Sequence, residues 1–135
     1  MNIQFDDICI RQLLDAVKYE FNNPQILYSA LLHSSFVNEY SGEDISNNER
    51  MEFLGDALLS FTIAEYLYSN YPMLDEARMS SLRAKLVNRK NFAECAVSVG
   101  LVNCIKIGGG QKNSDKIADS ILSNMFEAFI CAIYL

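Results

Sequence analysis

Apolar residues recur at helical spacing through almost the whole chain, and this pattern constrains the fold more than any other feature. The stretch "DDICIRQLLDAVKYEF" sets Ile8, Ile10, Leu13, Leu14 and Val17 largely along one stripe. "NNPQILYSALLH" opens with Asn23 as an N-cap and Pro24 at the first helical position. "SSFVNEYSGEDISNN" reads as a polar loop. The next helix is predicted to start near Asn47 or Asn48 and to run to about Tyr68, with Pro72 as its stop. "LDEARMSSLRAKLV" and "RKNFAECAVSVG" are two shorter helices, the second closed by Gly100. "IGGGQKNSDK" reads as a flexible connector, and "KIADSILSNMFEAFICAIYL" as a last helix. With no strand alternation and no repeat, the expected fold class is all-α.

A chain of 135 residues, half of them apolar and 21% charged, has the size and balance of one folded soluble domain. No apolar run approaches the roughly 20 residues needed to span a bilayer, and "MNIQFDD" does not read as a signal peptide. Cys9, Cys95, Cys104 and Cys131 are scattered, and Cys95 and Cys131 fall at apolar helical positions. They read as reduced thiols of a cytoplasmic protein with no membrane partner. His33 is the only histidine, so histidine-rich metal sites and a serine–histidine triad are disfavoured. The net charge of −6 argues against a basic nucleic-acid surface, unless cations hold some carboxylates or a basic module lies on a longer parent chain.

The stretch "NNERMEFLGDALL" poses the chemical question. Glu49, Glu52 and Asp56 stand at i, i+3 and i+7, on one helical face. Like charges this close repel one another, and their apolar neighbours Met51, Phe53, Leu54, Ala57, Leu58 and Leu59 predict a helix largely covered by protein. A partner cation relieves both costs. The helix dipole accounts for Glu49 in the first turn but not for Asp56 two turns in; salt bridges with Arg50 or Lys85 are the alternative. In the last helix "SNMFEAF" adds Asn124 and Glu127 at i, i+3. Oxygen donors from these two helices would form a hard cluster suited to Mg²⁺ or Mn²⁺, and such a site equips a protein for phosphodiester hydrolysis.

These residues carry a resemblance. "NNERMEFLGDALL" resembles the N-E-R-L-E-F-L-G-D-A-hydrophobic-L signature of the ribonuclease III family. "LLHSSFVNEY" is similar to its L-T-H-x-S-Y-x-N-E segment, and "AEYLYSNYPMLDEARMSSLRAKLVN" has counterparts in order. The closing "KIADSILSNMFEAFICAIYL" resembles S-I-L-A-D-x-F-E-A-x-I-G-A-I-Y-L. The resemblance implies an all-helical endonuclease domain over residues 1–135. It would cut double-stranded RNA with Mg²⁺, or Mn²⁺ as substitute, as a homodimer. Its staggered cuts would leave short 3′ overhangs, in RNA processing such as the maturation of rRNA and mRNA precursors. By position Glu52, Asp56, Asn124 and Glu127 are its metal site, with Asp56 and Glu127 catalytic. Glu49 and Glu76 are supporting acids of the cleavage valley. Phe53 matches the aromatic inserted into the partner subunit, with an ordinary core residue as the alternative.

There are two departures from the family pattern. Asn124 stands where the family has Asp, which removes a negative charge while keeping a carbonyl oxygen; it is either tolerated or a weakening of the site. The family's C-terminal double-stranded-RNA-binding domain is not in this chain. The complete E-R-x-E-F-L-G-D pattern favours a piece of a standard member over the naturally compact Mini-ribonuclease III. The competing function is a weakened ribonuclease III-like domain that binds RNA or ribosomal partners without cutting. Gly108–Gly110 lack the G-K-[ST] ending of a P-loop, so no nucleotide cofactor is expected. Lys112 or Lys116 there, and Arg83, Lys85 and "NRKN", are candidate phosphate contacts. His33 is expected to pack or cap rather than act as a base.

Overall fold

A computed structural model of the chain describes residues 3–39, 46–112 and 116–135. Eight α-helices form among the described residues: α1 Asp7–Val17, α2 Pro24–Ala30, α3 Ser34–Glu39, α4 Glu49–Asn70, α5 Glu76–Leu86, α6 Arg89–Ser98, α7 Gly109–Lys112 and α8 Asp119–Tyr134. A single 3₁₀ turn, Leu101–Asn103, follows α6. The only pairing of extended backbone among these residues is an isolated parallel bridge between Leu32 and Lys106. The fold is all-α, as the periodicity predicts.

Local chemistry sets most helix ends. Asp6 caps α1 by accepting from the N–H groups of Ile8 (2.9 Å) and Cys9 (3.3 Å), and these bonds hold its carboxyl below the usual range. Asn23 accepts from Gln25 N–H at 3.1 Å, with Pro24 in the first turn of α2. Asp75 and Asn88 cap α5 and α6 in the same way, at 2.9 and 3.0 Å. Gly100 takes a left-handed φ of +80° just beyond α6, a conformation that favours glycine.

The centre of the molecule is α8, whose Ile121, Leu122, Met125, Ala128, Phe129, Cys131 and Ala132 are all buried. It packs against α2, α4 and α6, and Leu13, Leu27, Leu31 and Leu101 close the core around it. Two aromatic contacts tie neighbours to it: Phe92 to Phe126 at 5.7 Å between centroids, and Phe21 to Phe129 at 6.4 Å.

Four expectations need correction. The segment "SSFVNE" is not loop but the short helix α3; residues 40–45 of the same stretch lie outside the described residues. The connector at Gly108 is fastened to that helix: Gly108 N–H donates to Ser35 Oγ (2.9 Å) and Gly109 N–H to Glu39 Oε1 (2.6 Å). Finally, α4 is not covered all round. Only Gly55 and Leu67 are buried in it, while Phe53 is 81% and Phe61 68% exposed. One side of α4 meets α8, and an apolar stripe on another side faces outward, so its periodicity reflects two surfaces. Cys95, expected at an apolar position, is likewise exposed, whereas Cys104 and Cys131 are buried; all four thiols are free. No helix among the described residues is long and apolar enough to cross a membrane.

Candidate active site

The crossing of α4 and α8 decides which side chains meet. Gly55 is buried where a Cβ would run into the backbone carbonyl of Glu127. Glycine inside a helix costs up to about 1 kcal/mol relative to alanine, and here its missing side chain lets the two backbones touch. Glu52 precedes Gly55 by three residues and Asp56 follows it, so both acids are delivered beside Glu127 and Asn124. The start of α4 is held by an inward-facing residue. Asn48 is 1% exposed, and its side chain makes no capping bond. Its amide nitrogen instead donates to Ala30 O (3.2 Å) and lies 2.7 Å from Met125 Sδ. The neighbouring Asn47 takes over the cap, accepting from Glu49 N–H at 3.0 Å.

The electrostatics follow from this packing. Burial pushes the Glu127 carboxyl up to about 7, and the nearby charges of Asp56 and Glu52 add to the rise, with Arg89 opposing it. Glu52 is also raised, first by burial and then by Glu49 and Asp56, against a hydrogen bond from Asn124. Glu49, Glu52, Asp56, Asn124 and Glu127 therefore form one interacting group. Among the described residues no three or more His, Cys, Asp or Glu side chains are gathered tightly enough to be a ready-made metal cage. The acids share a place and repel within it.

The fold and the sequence are shared with known proteins. The family model described as Ribonuclease-III-like matches residues 23–135. The chain belongs to the ribonuclease III family. It is 38% identical over 125 residues to Ribonuclease 3 of Listeria innocua, covering 92% of this chain and 55% of that protein. It is 35% identical over 127 residues to Ribonuclease 3 of Lactobacillus acidophilus, covering 93% and 56%. The chain thus spans about half the length of the curated relatives it matches. Among solved structures it is similar to two of the ribonuclease III nuclease domain from Campylobacter jejuni, both at 40% identity over 93% of this chain. Their TM-scores are 0.82 and 0.81, with 84% and 82% of those chains covered. The first is described as showing structural flexibility in the region involved in dimer formation.

Other residues singled out by the ribonuclease III resemblance fall elsewhere. Glu76 is in the first turn of α5, where its Oε1 accepts from Ser80 Oγ at 2.6 Å. It lines a groove of about 450 Å³ between α4 and α5 with Phe61, Tyr68, Met79 and Arg83, and is not among the charges acting on Glu52 or Glu127. Phe53 is solvent-facing, which removes the core alternative. His33 caps the turn into α3: its Nδ1 lies 2.8 Å from Ser35 Oγ and accepts Ser35 N–H at 3.2 Å. Burial lowers its pKa, with Glu49 opposing, which favours neutral imidazole. Arg83 and Lys85 occupy the last turn of α5, where cations suit the helix dipole. Lys116 pairs with Asp119 at 3.5 Å, and the Lys112 side chain lies outside the described residues.

Three participants escape a reading of motifs alone. A glycine inside a helical run was the available hint for Gly55. Arg89 was visible only as part of a basic stretch, with nothing to aim it at Glu127. Asn48 was visible only as a helix start, because sequence cannot tell an inward amide from a capping one.

Proposed function

We propose that this chain is the nuclease domain of a divalent-cation-dependent endoribonuclease that hydrolyses phosphodiesters of double-stranded RNA as a homodimer. The observation that carries the reading is the meeting of Glu52 and Asp56 on α4 with Asn124 and Glu127 on α8. The surplus of negative charge there, visible in the raised carboxyls of Glu52 and Glu127, fits a site completed by a cation. The donors are carboxylate and carboxamide oxygens, which suit Mg²⁺, with Mn²⁺ as substitute. Glu52, Asp56, Asn124 and Glu127 would hold the ion. When bound, it supplies Lewis-acid activation of water and stabilises charge on the phosphodiester.

The protein side of the chemistry is divided among named groups. Asp56 and Glu127 are assigned the catalytic role, and Glu127 holds or releases a proton at its carboxyl near neutral pH. Asn124 stands beside Glu52 and favours its ionised form. Arg89, which acts on Glu127, offers a guanidinium to a phosphate. Glu49 is a supporting acid beside Glu52, and Glu76 a second one contributed from the α4–α5 groove. The exposed Phe53 and the apolar groove lined by Phe61 and Tyr68 support a homodimer through α4. A-form shape rather than sequence would select the substrate. The products would carry short 3′ overhangs, and the setting would be cytoplasmic processing of rRNA and mRNA precursors.

A second reading, an RNA-binding domain that does not cut, is favoured by one observation: Asn124 replaces an acid. One experiment separates the two. A long RNA duplex is incubated with the protein at low salt, with Mg²⁺ or with EDTA, beside Glu127→Gln and Asn124→Asp. Metal-dependent cutting that Glu127→Gln loses is the expected result. Cutting by Asn124→Asp alone would mean that the amide has silenced the site. If neither cuts while both remain folded, the binding reading stands.

A further inference from the structure

We propose that Asn48 is a positioning residue: its buried amide sets the register of α4 on α8, and thereby the placement of the carboxylates. The inference deepens the proposed function and rests on it for the metal-binding consequence alone. Asn48 joins three elements at once. Its backbone N–H donates to Leu32 O at 3.0 Å, beyond the end of α2, and its side chain donates to Ala30 O at 3.2 Å. Across the core its amide nitrogen meets Met125 Sδ at 2.7 Å. Its own carbonyl then accepts the first N–H groups of α4, from Met51 and Glu52, both at 2.9 Å.

The geometry gives these bonds a purpose beyond stability. Met125 lies between Asn124 and Glu127, so the amide grips α8 where α8 carries its site residues. Glu52 is bonded directly to the Asn48 carbonyl, so it moves with that residue. Gly55, two turns along α4, makes the second contact, against the Glu127 backbone. The helices α4 and α8 pack along an extended crossing, and these two contacts, seven residues apart on the α4 side, hold its register at two named points. The thioether is a weak acceptor that apolar packing alone would not orient. A buried amide needs its partners, however, and is satisfied in one register only.

The test uses Asn48→Ala, with Met125→Leu as a milder variant that removes the acceptor but keeps apolar volume. Leu13→Val in the core serves as a control for lost stability. Two readouts are taken on folded protein. The first needs no metal: the nuclear Overhauser contact between the Gly55 and Glu127 α-protons. The second is Mn²⁺ affinity by calorimetry. The expected result is a weakened Gly55–Glu127 contact and about tenfold weaker Mn²⁺ binding, the scale typical of residues that orient metal ligands. Leu13→Val should leave both unchanged. If Asn48→Ala does not fold, Met125→Leu should move both readouts in the same direction. An intact contact with unchanged affinity in the folded variant would overturn the proposal. If the parent itself binds no Mn²⁺, the proposed function falls, while the proton contact still decides the role of Asn48.

Discussion

Glu127 sits where three influences converge: burial, two neighbouring carboxylates and one guanidinium. Its carboxyl, raised to about 7, makes a pH signature that can be worked out in sign. A carboxyl whose folded pKa exceeds the unfolded value stabilises the fold fully below the unfolded pKa, and that contribution is lost as pH rises through the folded value. Metal-free protein should therefore lose stability between about pH 5 and pH 7 through this group, with Glu52 acting in the same direction. Glu127→Gln removes the titration. Its melting temperature should fall less across that interval than the parent's, which thermal unfolding at several pH values in EDTA would reveal. Equal slopes in the two proteins would mean that Glu127 carries no such shift.

At the scale of elements, α4 does two jobs on two sides. One side meets α8; the other carries Phe53, Ala57, Phe61, Ala64 and Tyr68 on a stripe that no other described part of the chain covers fully. Introducing a charge into such a stripe should break self-association while leaving the fold intact. Phe53→Asp is expected to weaken the proposed dimer about 30-fold or more, the scale of an aromatic hot spot, as read by sedimentation at graded concentrations. Unchanged association would move the interface elsewhere. This helix also marks the boundary of what sequence discloses. Asn23–Pro24, the start near Asn48, the stop before Pro72 and Gly100 are local signals, and each stands where the residues placed it. The acids on α4 and α8 were legible from their spacing. The outward turn of Phe53 was implied by the family resemblance alone, and the inward turn of Asn48 and the short helix α3 were not legible. Their directions are set by contacts with Met125, Gly108 and solvent, which lie far away in sequence.

The whole molecule carries a formal charge of −6, yet the proposed ligand is a polyanion. The 11 lysines and arginines are outnumbered by 17 acids, and Lys90 and Lys116 already face Glu94 and Asp119, at 3.9 and 3.5 Å. Binding of duplex RNA by this chain should release few counterions. With cleavage blocked by Glu127→Gln, the log–log salt slope of affinity is expected to be shallower than about −4. Filter binding across a salt series measures it. A steeper slope would show that a larger basic surface grips the RNA than these residues provide.

The backbone contact between Gly55 and Glu127 has a consequence for the birth of the protein. Its two halves are separated by roughly 70 residues, which synthesis at about 5–20 residues per second takes several seconds to cross. Until α8 emerges, the acids of α4 have no opposing surface and are only solvated charges on an open segment. On the proposed function, a growing chain carries no assembled site until α8 docks against α4.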